Sequence, residues 1–217
     1  MNFIDLHTHT LPKREDVDAV LNQYPAEADS TLAMFSTGIH PWYIAAESLD
    51  DELGKMEELL ARENCVAVGE CGLDKKSKTD FRLQLEAFEA QLKLATNFRM
   101  PVIVHCVAAF QEIISLKSNL SVEVPMIIHG FSKSDELAQQ LLNHGFYLSF
   151  GDRILESDAL RQVLKNVPAD RFFLESDSAD VDIAEIYKTG AESRGAGTSE
   201  LIQQMHSNFN SVFNKSI

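Results

Sequence analysis

The sequence predicts an α/β fold of the TIM (β/α)8 barrel class, shortened, with helices missing in its N-terminal βα units. Three observations carry that expectation. Eight short apolar runs recur along the 217 residues, most of them separated by stretches of helical period. Several runs are apolar on both faces, as in Val102-Ile103-Val104, Met126-Ile127-Ile128 and Phe172-Phe173-Leu174, the pattern of parallel strands covered by helices. The first three runs are joined by only about ten residues each, without helical period, which explains a length near the lower end for the class. An open doubly wound sheet is the rival arrangement.

The strands are expected at 2–6, 17–22, 32–38, 65–70, 101–105, 125–129, 146–150 and 171–176. Between the third and fourth, Leu49, Leu53, Met56 and Leu60 fall on one stripe of a helix, with Ser48 and Asp51 as a capping pair at its start. Leu85, Phe88, Leu92 and Ala95 repeat the pattern before Pro101. Leu137, Leu141 and Leu142 do so before Phe146, and Leu201, Met205, Phe209 and Val212 mark a last helix. No linker, repeat or low-complexity tract marks a boundary, so residues 1–217 are read as one domain.

Composition narrows the function. A 45% hydrophobic and 24% charged chain is ordinary globular material. With 19 Lys+Arg against 33 Asp+Glu the net charge is −14, which argues against a basic protein that grips nucleic-acid backbone along its length and against docking on anionic membranes. Cys65, Cys71 and Cys106 form no CxxC pair, so neither a disulfide framework nor a thiolate zinc site is expected. Neither a signal peptide nor an 18-residue apolar run is evident, and a cytoplasmic protein is the expectation.

Almost every apolar run ends in a residue able to hold a metal. The first ends in Asp5-Leu6-His7-Thr8-His9, and the third runs into Gly38-Ile39-His40-Pro41-Trp42. The fourth ends in Val68-Gly69-Glu70, the fifth in His105, the sixth in His129 and the eighth in Glu175-Ser176-Asp177. In a parallel barrel all strand C-termini open on one face, so these residues are expected to converge. On a strand, His7 and His9 point to the same side. Glu70 has two oxygens for two cations, His105 and His129 would hold one, and Asp177 the other. Imidazole with carboxylate suits Zn, Mn, Fe or Ni. Two such ions about 3.5–4 Å apart can share and acidify a hydroxide and clamp both oxygens of an ester under attack.

Each residue also has a plainer reading. A lone histidine at a strand end is more often structural than a ligand, and Asp177 is a natural helix N-cap; the recurrence across strands favours metal. His144 and His206 lie within helical periods, as packing or solvent-facing residues. Cys71 and Cys106 are expected as buried wall residues. Trp42 is either a stacking platform or a packing residue, and packing is the expectation.

These strings, in order from residue 3 to residue 177, resemble the TatD family of metal-dependent deoxyribonucleases in the amidohydrolase superfamily. The resemblance rests on Asp5-x-His7-x-His9, Gly38-Ile39-His40-Pro41-Trp42, Val68-Gly69-Glu70-x-Gly72-Leu73-Asp74, Pro101 to His105, Ile128-His129-Gly130-Phe131 and Leu174-Glu175-Ser176-Asp177. The segment from Gln84 through Phe88, Gln91 and Ala95 looks like the helix between the family's Glu and His motifs. The resemblance implies a hydrolase domain over 1–217 with two divalent ions (Zn, Mn or Mg) on His7, His9, Glu70, His105, His129 and Asp177. Glu70 would bridge the ions, and Asp177 would also orient or deprotonate the attacking water. Asp5 and Glu175 would orient ligands, and His40 would contact a phosphate oxygen. The implied substrate is single-stranded or terminal DNA, or a small phosphodiester; no membrane is expected, and no stable protein partner can be inferred.

The chain departs from the family pattern on the substrate side. Lys75-Lys76-Ser77-Lys78 stands where aromatic residues are frequent, Cys106 where an Arg is common, and Ser178-Ala179-Asp180-Val181-Asp182 where a Pro-containing stretch is usual. Hydrolase chemistry is thus better supported than DNA as the substrate. A PHP-type phosphoesterase and an amidohydrolase acting on a small amide or ester are the alternatives, and a catalytically silent metal-binding or interaction protein ranks below both.

Overall fold

The computed structural model describes residues 1–29 and 31–213. The chain runs β1 (Phe3–Thr8), β2 (Val17–Gln23), β3 (Phe35–Thr37), α1 (Leu49–Leu60), β4 (Cys65–Asp74), α2 (Phe81–Phe98), β5 (Val102–Val107) and α3 (Phe110–Asn119). It continues β6 (Met126–Ile128), α4 (Asp135–Asn143), β7 (Phe146–Phe150), α5 (Arg153–Glu156), α6 (Asp158–Asn166), β8 (Phe172–Leu174), α7 (Ile183–Arg194) and α8 (Thr198–Phe213). One eight-stranded sheet takes the strands in chain order, β1 to β8. β2 with β3, β3 with β4, β4 with β5 and β7 with β8 pair in parallel. This is the (β/α)8 class, and among the described residues no helix joins β1 to β2 or β2 to β3.

Two compact units can be distinguished, Met1–Val20 with Ile128–Ile217, and Leu21–Ile127. In the first, β1 and β8 adjoin: Thr8 bridges Asp177 in parallel, the Asp177 amide donates to the His7 carbonyl (2.9 Å), and the His9 amide donates to the Asp177 carbonyl (3.1 Å). The buried Tyr187 hydroxyl of α7 donates to the Ile4 carbonyl (2.9 Å) and accepts from its amide (3.2 Å), so a side chain serves as a strand neighbour. α8 adds Asn208, whose amide donates to the Phe172 carbonyl at 2.9 Å. It also carries His206, buried and 2.8 Å from the Asn2 carbonyl, a packing role as expected.

In the second unit β4 is buried along all ten residues. Ile39, Ile44, Leu49 and Ala87 form a cluster against which Leu53 and Leu83 pack, so the expected stripe of α1 does face the core. Two buried glutamines of α2 bind backbone groups, one just past β3 and one at the end of β4. Gln91 accepts from the Ile39 amide (2.7 Å) and donates to the Ile39 carbonyl (3.2 Å). Gln84 accepts from the Asp74 amide (2.8 Å) and donates to the Asp74 carbonyl (3.1 Å).

Local differences from the sequence expectation have visible causes. β3 is shorter than 32–38 because Leu32 and Ala33 lie outside the buried stretch. β4 runs on past residue 70 because Cys71 to Asp74 pair with Val104 to Val107. Ser48 does not cap α1: its hydroxyl donates to Glu52 Oε1 (2.6 Å) rather than accepting from the helix start, so the Ser48–Asp51 pair is not made.

Candidate metal centre

In the first unit, β1 alternation puts His7 and His9 on one side, with ring centroids 5.0 Å apart. Asp177 Oδ1 lies 3.7 Å from His7 Nε2 and 3.5 Å from His9 Nε2, and the His129 ring is centred 4.6 Å from that of His7. One donor atom from each of His7, His129 and Asp177 falls within a span of 4.8 Å. Asp177 takes a left-handed backbone conformation (φ 53°) between its two hydrogen bonds to β1, a region that Asp tolerates better than most residues. The helix that follows, α7, is capped by Asp182, whose carboxylate accepts from the Ala184 amide at 2.9 Å. Asp177 is therefore no cap.

Two buried carboxylates hold this group in place. Asp5 accepts from the Ser176 amide (2.8 Å) and hydroxyl (2.6 Å), which fixes the residue before Asp177. Burial pushes the Asp5 carboxyl up to about 7 against the pull of those two hydrogen bonds, and the charge of Glu175 adds to the rise. Glu175, fully buried, accepts from the Gly130 amide (2.6 Å) and lies 3.3 Å from His129 Nδ1. Burial works to raise the Glu175 carboxyl, but the His129 contact and the charges of His129 and His7 hold it below its ordinary value. Asp5 thus fixes Ser176, and Glu175 sets the His129 ring.

The second unit holds a second group. Glu70 Oε1 lies 2.7 Å from His105 Nδ1 and 3.3 Å from His40 Nε2, and the two imidazole nitrogens are 3.3 Å apart. His40 and Glu70 are buried, and donor atoms of His40, Glu70 and His105 lie within 4.8 Å of one another. The glycines of the Val68-Gly69-Glu70-x-Gly72 string make this possible. Gly69 (φ 139°) passes so close to β5 that a Cβ would sit 2.5 Å from the Ile103 carbonyl oxygen, and one on Gly72 (φ 150°) would collide with the His105 carbonyl. Only glycine accepts both the conformation and the approach. The Glu70 amide donates to Asn22 Oδ1 at 2.6 Å.

Of the six residues expected as ligands, the first unit brings together His7, His9, His129 and Asp177, and the second Glu70 and His105. His40 had been expected only to touch phosphate; it joins the second donor group. Asp74 was not singled out, yet its Oδ2 accepts from the Trp42 indole (2.6 Å) and lies 3.5 Å from His105 Nε2. Its position at the end of the Gly72-Leu73-Asp74 string was the available signal. Trp42, expected as a rim packing residue, is 54% exposed and meets His40 and His105 edge-on. Cys71 is buried as expected, its thiol pushed up by burial and by the charge of Glu70, whereas Cys106 is only partly buried. His144 is exposed at the end of α4. Each group offers imidazole nitrogens with a carboxylate oxygen, a donor set that fits a borderline divalent cation.

The model of a family described as TatD related DNase matches residues 10–214. The chain belongs to that family. Among curated relatives it is 36% identical over 146 residues to an uncharacterized metal-dependent hydrolase, YabD, of Bacillus subtilis, covering 64% of this chain and 56% of that protein. It is 32% identical over 158 residues to a protein of Pantoea ananatis named 3'-5' ssDNA/RNA exonuclease TatD, covering 70% of this chain and 60% of that protein. The shared stretch thus takes in less than two thirds of either relative. An uncharacterized metal-dependent hydrolase of Haemophilus influenzae is 29% identical, with 84% of this chain and 83% of that one covered. A solved TatD homologue of Escherichia coli K12, YjjV, superposes with a TM-score of 0.82 at 23% identity over 98% of each chain, which bears out the fold.

Relative to the TatD pattern, the lysines after β4 are exposed, and Lys75 Nζ pairs with Glu112 at 2.5 Å. Among the described residues no helix is long and apolar enough to cross a membrane.

Proposed function

We propose that this TatD-family chain is a metal-dependent nuclease, one hydrolase domain over residues 1–217 that cleaves phosphodiester bonds of single-stranded or terminal nucleic acid. The observation that carries the reading is the pair of imidazole–carboxylate groups, His7/His129/Asp177 and His40/Glu70/His105, each within reach of one cation. The proposed ligands are His7, His9, Glu70, His105, His129 and Asp177, with up to two ions of Zn, Mn or Mg. Bound divalent ions would supply Lewis acidity, acidifying a water and offsetting charge on the phosphodiester.

The chain's own residues supply the rest. Asp177 accepts the proton of the attacking water at its carboxylate, which β1 holds in place through two backbone hydrogen bonds. His129 is set by Glu175, and His105 lies between Glu70 and Asp74, so these rings enter the reaction already oriented. The Pantoea relative's name, an exonuclease on single-stranded DNA and RNA, supports the substrate class.

A panel with Mg, Mn or Zn tests the reading, comparing single-stranded DNA and RNA, duplex DNA, a small chromogenic phosphodiester and an amide. Metal-dependent release of nucleotides from single strands is expected. Cleavage of the amide alone would overturn the nuclease reading in favour of an amidohydrolase.

A further inference from the structure

Large apolar side chains are rarely left in water without a use when they cluster. Among the described residues the exposed large hydrophobic side chains are Met1, Leu11, Trp42 and Tyr43, and the two aromatic ones are adjacent, at 54% and 58% exposure. They follow His40, and the Trp42 ring is centred 4.9 Å from that of His40 and 5.9 Å from that of His105. The indole is not a loose flap. Its N–H donates to Asp74 at 2.6 Å, and Asp74 is itself tied to the Lys76 amide (2.7 Å). One edge of the ring is pinned, and about half of the residue is left to solvent.

Tyr43 stands nearly perpendicular to Trp42, with centroids 6.5 Å apart and planes at 82°, and it meets Tyr24 edge-on at 5.4 Å. Behind Tyr43 lies a cavity of about 340 Å³ bounded by Tyr24, Gly38, His40, Tyr43 and the carboxylates Glu27 and Glu52. No lysine or arginine lines it. This recess, on the Tyr43 side and not lined by Trp42, offers aromatic surface and no cationic partner for a phosphate.

We propose that Trp42 and Tyr43 form a nucleobase-stacking site beside the His40–Glu70–His105 group, in which a base of a single-stranded substrate lies on the indole face with the Tyr43 ring against its edge. This rests on the nuclease reading and adds to it the way in which an acidic protein grips a strand: by base faces, with little help from cationic side chains. Stacking of this kind tolerates every base, since each has a π face.

Trp42 is the chain's single tryptophan, so the site reports on itself. The metal-loaded protein is titrated with a single-stranded oligodeoxyadenylate carrying cleavage-resistant phosphorothioate linkages, and with an abasic oligomer of the same length and linkage. Saturable change in tryptophan emission with the first and none with the second is expected; equal responses, or no response to either, would overturn the proposal. By fluorescence anisotropy of a labelled oligomer, Trp42→Leu should bind about tenfold more weakly, with Trp42→Phe recovering most of the loss. A folded Leu variant that binds as tightly as the wild type would also overturn it. Cleavage of a small chromogenic diester by the wild type separates the two readings. Cleavage without a base-dependent signal sinks the stacking site alone, and a base-dependent signal without any diester cleavage sinks the nuclease reading alone.

Discussion

Asp177 owes its placement to β1: backbone hydrogen bonds to His7 and His9 hold it at positive φ with its carboxylate toward both imidazoles. Asn tolerates that conformation too, so Asp177→Asn should leave the melting temperature of the metal-free protein nearly unchanged while lowering metal-dependent turnover by about 10²–10⁴-fold. Full turnover in that variant would remove Asp177 from the chemistry. Glu70→Ala should abolish activity while secondary structure, read by circular dichroism, persists. Glu175 touches His129 without being a proposed ligand, and Glu175→Gln should weaken metal affinity by about 10–100-fold in a competition titration with a chelating dye. The residues proposed as ligands were legible in the sequence because donor types recur at the ends of apolar runs. His40 was read less well, since spacing says where a residue sits on a chain and not which way its ring turns. The indole of Trp42 is held at the rim by Asp74, 32 residues on, which accepts from its N–H.

At the scale of elements, the segments leaving β3 and β4 are held by side chains of α2. Gln91→Leu would leave the Ile39 amide and carbonyl without their present partner. Two buried backbone groups so stripped should cost about 2–4 kcal/mol, measured by denaturant unfolding and accompanied by loss of activity as His40, the next residue, shifts. Gly69→Ala should be harsher still, because the added methyl meets the β5 backbone and its φ is unfavourable; a variant as stable as the wild type would contradict the packing described here. Strands were well marked in the sequence by their apolar runs, although their ends were not. Cys71 to Asp74 extend β4 because β5 offers partners, a fact of pairing that no local pattern announces. Ser48 looked like a cap and instead binds Glu52, because two polar side chains one turn apart compete for each other as well as for the helix end.

For the molecule as a whole, the −14 charge and the proposed metal sites belong to one account. A divalent ion held by the folded donor groups binds the native state in preference to the unfolded chain, so bound metal should stabilise the native state by linkage. At about 100 times the dissociation constant that is about 2.7 kcal/mol per site, visible as a fall in melting temperature on adding chelator. With few cations to neutralise phosphates, oligonucleotide affinity should weaken by less than about tenfold between about 50 and about 200 mM salt; a steep dependence would point to a basic surface the charge does not suggest. The ties on β1 have a further consequence, in time. Asp5 meets Ser176 across 171 residues, and Ile4 meets Tyr187 across 183. On the ribosome, β1 therefore emerges long before the residues that fasten it, and an apolar strand bearing the proposed ligand His7 must wait through most of synthesis. Nascent chains stalled before residue 176 should be the species most in need of a chaperone.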